Sequence, residues 1–102
     1  MHIIELDAAR WKKVLDFYDA LLAAVGAPKG HGRSVDGLID SMIWGGMNAI
    51  DPPYTVRILD ADKLPKDVRE EIELVKRELA EARTEFRKRK GRDVEVNFEI
   101  EP

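Results

Sequence analysis

Asp36 and Asp40 are the two groups in this chain whose spacing most invites a chemical reading. Four residues is about one helical turn, so on a helix they are neighbours on one flank. Sharing a face, they do not flank a cleft as the acid and base of a hydrolytic pair must. Adjacent carboxylates are better suited to holding cations, because Arg and Lys pair with a carboxylate as they do with a phosphate, often bidentately. Asp36 falls in a first helical turn, where the helix dipole favours an anion. Asp40 falls mid-helix, where Asp is a poor former and nothing local requires it. The alternative reading of the pair is an ordinary solvated polar face. His31 lies just upstream and could donate to a phosphate-like or carboxylate group, or stack. As a catalyst it would need a nucleophile or metal partner, and none is spaced for it. No P-loop, G-x-S-x-G or dinucleotide glycine pattern occurs. The absence of cysteine removes thiolate chemistry and Cys-based zinc. The chain therefore reads as a non-enzyme with no cofactor and no metal site.

The elements that must position these groups are a loop and a short helix. Lys29-Gly30-His31-Gly32 contains two glycines able to take φ > 0 and to approach another backbone closely. Ser34 to Trp44 then reads as a helix: Val35, Leu38, Ile39, Met42 and Ile43 recur at i, i+3, i+4, i+7 and i+8, an apolar stripe for a core. Arg33, Gly37 and Trp44 project to the acidic flank. Trp44 reads either as an exposed binding anchor beside Asp40 or as a ring tucked under the turn-rich stretch Gly45 to Pro53.

The segment P-x-x-x-G-x-x-[V/L]-D-x-L-x-D, present as Pro28, Gly32, Val35, Asp36, Leu38 and Asp40, resembles the barstar-like family of intracellular ribonuclease inhibitors. The order of elements resembles that family over most of the chain. The resemblance implies a loop and helix that plug a ribonuclease active site, with Asp36 and Asp40 as the inhibitory carboxylates meeting the groups that would otherwise hold RNA phosphates. It implies a partner surface of Gly30, His31, Arg33, Asp36, Gly37, Ile39, Asp40 and Trp44. The partner is expected to be a ribonuclease or ribonuclease-like toxin, met in the cytoplasm. Family aromatics give way here to Gly30 and His31, and a family tryptophan to Ile39.

With 102 residues the chain is expected to form a single domain, 1–102, able to bury a core without staples. No stretch approaches the ~18 apolar residues of a membrane span. MHIIELDAAR has neither a basic lead nor an apolar core, so no secretory signal is expected. The net charge of −3 argues against general nucleic-acid binding. Lack of cysteine fits a reducing cytosol.

Ile3, Ile4 and Leu6 begin a strand, and Asp7 is placed to cap the helix that follows. Trp11, Val14, Leu15, Tyr18, Leu21, Leu22 and Val25 recur at helical spacing up to Gly26, a C′ glycine. Tyr54 to Leu59 and Val94 to Glu101 alternate as strands, so a sheet with one covered face is expected. The order strand–helix–strand–helix–strand predicts an α/β, two-layer fold: a three-stranded parallel sheet covered by helices on one face.

Val68, Ile72, Val75, Leu79, Ala82 and Phe86 follow gaps of 4, 3, 4, 3 and 4, a heptad seam on a helix running from Pro65 to Lys90. At about 39 Å it should overhang strands of about 17–24 Å, or break near Lys63–Glu70. An overhanging apolar seam suits a homodimer through Val68, Ile72, Val75, Leu79 and Phe86, which makes a dimeric interaction module the second functional reading. The basic run at the end of this helix, Arg83 to Arg92, complements the helix dipole, and without interleaved aromatics it is a weak phosphate-binding signal.

Overall fold

The computed structural model describes residues 2–102. Three strands, β1 (His2–Asp7), β2 (Tyr54–Leu59) and β3 (Val96–Ile100), form one parallel sheet in the order β1-β2-β3. Between β1 and β2 lie α1 (Val14–Ala24), the single-turn α2 (Val35–Leu38) and a π-helical segment (Ile39–Ile43). A 3₁₀ turn (Ala61–Lys63) and α3 (Lys66–Lys90) connect β2 to β3. This is the two-layer α/β arrangement that the strand and helix order predicts.

Register follows the alternation. Ile4, Val56 and Phe98 lie side by side across the sheet, and Leu6 pairs with Ile58; all five are buried toward the helices. On the opposite face Glu5, Arg57 and Glu99 form one row, with Arg57 reaching Glu5 at 3.4 Å, Glu99 at 3.2 Å and Glu101 at 3.7 Å. Thr55, between Ile3 and Asn97 on that second face, is nevertheless buried.

α1 begins at Val14, and Asp7 is not its cap. The Asp7 carboxylate instead accepts from the Ala9 amide at 2.9 Å, closing the turn after β1. The helix start is held by Asp16, whose Oδ2 accepts from the Lys12 and Lys13 amides at 2.9 and 3.0 Å. Phe17, fully buried, packs its ring against Trp11, Tyr18 and Phe98. The Tyr18 hydroxyl donates to Glu71 and ties α1 to α3. Burial, and then the hydrogen bond to Glu71, pushes that phenol above its ordinary value.

Gly26 ends α1 at φ +68°, and the chain after the π segment returns across it: the Ala49 amide donates to the Gly26 carbonyl at 3.0 Å. A Cβ at Gly26 would sit 2.5 Å from the Ala49 Cβ. Gly26→Ala is therefore expected to destabilise the fold by about 1–3 kcal/mol, from clash and left-handed strain together. Urea denaturation checks this.

α3 is continuous over 25 residues and ends at Gly91, φ +69°, in a left-handed cap. Its length, about 38 Å, matches the 39 Å long axis of the molecule. The seam expected to mediate a homodimer is the core face of the chain itself. Val68, Ile72 and Val75 are fully buried, and Leu79 and Phe86 nearly so. The helix does outrun the strands, but α1, α2 and the π segment pack along it as well. Among the described residues, α3 leaves no apolar stripe free for a second copy.

Past Gly91 the chain is secured by Arg83, whose guanidinium clasps Asp93 bidentately at 2.9 and 2.7 Å and donates to Asn97 at 2.8 Å. The clasp holds the Asp93 carboxyl well below the usual carboxylate range, with Arg83 the main cause and Arg87 adding to it. A depressed folded value means stability that is present above the ordinary 3.8 and lost as pH falls through the folded value. Asp93→Asn is expected to be less stable at neutral pH and to lose less stability on acidification, read from melting temperatures between pH 7 and pH 2.

Candidate functional site

The loop before α2 turns at Pro28, whose carbonyl accepts from the His31 amide at 3.1 Å, with Gly30 at φ +84°. Ser34 then caps α2, its Oγ accepting from the Gly37 amide at 3.0 Å. After one turn the helix widens. Trp44 N–H donates to Ile39 O at 3.2 Å and Gly45 N–H to Asp40 O at 3.1 Å, the i→i+5 bonds of a π-helix. The apolar stripe expected from a 3.6-residue period holds for Leu38, Met42 and Ile43, which are buried; Val35 and Ile39 are only half-buried at the core margin. Ser41, off the stripe in sequence, is turned inward and 3% exposed.

On this platform Asp36 and Asp40 are both exposed. Neither makes a hydrogen bond or ion pair among the described residues. Arg33, the nearest cation in sequence, turns away and pairs with Asp19 on α1 at 2.8 Å. The two negative charges are left for whatever approaches from outside.

Gly37 does not face open solvent on the flank. A Cβ there would meet Gly32 O at 3.0 Å, Ser34 Oγ at 3.2 Å and the His31 ring at 3.4 Å. Glycine at 37 is what lets the loop lie against α2. His31 is half-buried in this contact. Its Nδ1 lies 2.8 Å from Gly32 O and its Nε2 2.8 Å from Ser41 Oγ. Sequence spacing gives His31 no partner; the structure supplies Ser41, ten residues on and within the π segment. A histidine beside a hydroxyl has the outline of a nucleophile and base, but a buried Ser41 is closed to any substrate.

Trp44 is 39% exposed. It is not under the Gly45–Pro53 stretch; its ring packs on Phe86 of α3 at 5.1 Å, with Lys90 Nζ 6.0 Å from its centroid. Arg92 caps Phe86 in turn at 5.4 Å. Phe86 and Lys90 were not expected here, and only the helix-end run of cations hinted at them. Lys88, Lys90 and Arg92 have no carboxylate partner among the described residues, whereas Arg87 pairs with Asp93 and Arg89 with Glu85. Two concavities, one between α3 and β3 and one between Asp51–Pro53 and Arg92–Glu95, lie elsewhere; neither is lined by Asp36 or Asp40.

Fold and site together define a small two-layer α/β protein that presents a pair of uncompensated carboxylates on a loop-braced helix outside its clefts. The chain belongs to the Barstar (barnase inhibitor) family, whose model matches residues 1–99. That is a family of barnase-type ribonuclease inhibitors and immunity proteins. No curated protein matches the chain.

Proposed function

We propose that the chain is an inhibitor or immunity protein for a basic ribonuclease or ribonuclease-like toxin in the cytoplasm, and that it acts by occlusion rather than by chemistry of its own. The loop around Gly30 and the α2–π platform sit over the nuclease active site. Asp36 and Asp40 take the positions of substrate phosphates, each pairing with Arg or Lys. Gly30 permits close backbone approach, Ile39 and Trp44 add apolar contact at the rim, and His31, Arg33 and Gly37 shape the loop. The observation that carries this reading is the exposure of both carboxylates, neither of them ion-paired among the described residues, with Arg33 drawn to Asp19 instead. Opposed fields would also speed the encounter with a cationic cleft.

The test is capture of ribonuclease activity from the source cytosol on the immobilised chain, followed by titration of that activity with free chain. One-to-one loss of activity is the expected result. A folded chain that retains no ribonuclease, or retains one without inhibiting it, overturns the proposal.

A further inference from the structure

We propose that His31 is a positioning residue: held as the Nδ1–H tautomer, it clamps the recognition loop to the π segment and fixes where the loop stands relative to Asp36 and Asp40. Its bearing on inhibition rests on the function proposed above; the clamp itself does not.

The hydrogen-bond partners determine the tautomer. Gly32 O, 2.8 Å from Nδ1, is a carbonyl and only accepts, so Nδ1 carries the proton. In the neutral ring Nε2 then offers a lone pair, and the Ser41 hydroxyl 2.8 Å away donates to it. The other acceptor open to Ser41, Leu38 O, is at 3.5 Å, beyond the range of a good O–H···O bond. A buried hydroxyl needs a partner, and the one within reach belongs to the loop. The third constraint is Gly37, where a Cβ would press on Gly32 O at 3.0 Å and touch the ring at 3.4 Å. The imidazole is thus seated between its own loop, the bare backbone of α2 and an inward-facing side chain of the π segment.

A histidine that hydrogen-bonds a partner needs a ring nitrogen free. Here both are engaged inside the chain, so His31 acts on a partner through geometry. Ser41 lies within the π segment, so its bond to the ring joins the loop to that segment.

The test is the nitrogen signature of the ring in long-range ¹H–¹⁵N correlation spectra at about pH 8, where imidazole is neutral. The exposed His2 serves as internal reference. The expected result is a protonated Nδ1 and an unprotonated, hydrogen-bonded Nε2 at His31. In Ser41→Ala the Nε2 resonance should move toward that of His2, and exchange of the His31 amide, which donates to Pro28 O, should quicken about tenfold, as loss of one local hydrogen bond implies. A wild-type His31 with the tautomer balance of His2, or loop exchange unchanged in Ser41→Ala, overturns the clamp. Because these readings need no nuclease, a chain that inhibits nothing would sink the functional proposal and leave this one to its own result.

Discussion

Asp40→Ala is expected to weaken binding of the captured ribonuclease by about 2–5 kcal/mol, roughly thirty-fold to several thousand-fold in Kd, the general range for truncating one member of a buried charge pair. The free protein should hardly notice. Asp40 is exposed and has no internal partner to orphan, so the change in folding stability should stay within about 0.5 kcal/mol. Part of the loss belongs to association rate, because removing a surface charge reduces steering, and that part should shrink as salt is raised. Lys76→Ala, exposed on α3 away from the acidic pair, serves as the control. Calorimetric titration of both variants reads the difference. Equal losses would move the binding surface off the α2–π platform.

The second large effect is on the fold. Leu79→Lys should abolish it: the chain should lose its cooperative thermal transition and helical circular dichroism. Leu79 is 2% exposed between α3 and the rest of the core. Removing its side chain volume costs about 2–5 kcal/mol, and an unpaired ammonium in its place adds several kcal/mol of desolvation. Small domains have about 5–15 kcal/mol in total. The same substitution distinguishes the two roles of the heptad seam. Were the seam an intermolecular surface, Leu79→Lys would leave a folded chain of altered oligomeric state, which light scattering detects.

The regular elements were legible because each imposes its own period. Tyr54, Val56 and Ile58 alternate, as do Val96 and Phe98, and their order around two helices admits a parallel sheet covered on one face. The seam from Val68 to Phe86 was equally legible as a pattern, but not its destination. Comparing helix length with strand length left out the π segment and Trp44, which pack along the overhanging part. The π segment itself leaves no trace in a 3.6-residue reading, so the inward turn of Ser41 and its bond to His31 were out of reach. Arg33 could be placed on the acidic flank but not denied to it, since its partner Asp19 lies on another helix. Asp7 had the chemistry of a cap, yet Asp16, three residues into α1, holds two amides that the helix start leaves open. The carboxylate pair was legible from spacing and from the family motif together; that it is uncompensated required knowing where every nearby cation goes.

α3 works as the keel of the molecule. It is as long as the molecule's longest dimension, and α1, α2, the π segment and β3 all rest on it, so no half of the chain encloses a core without it. Neither a fragment ending before Lys66 nor one starting after the π segment retains a closed interior. The surface that carries Asp36 and Asp40 is therefore expected to lose its shape with the domain as a whole rather than by shedding part of it.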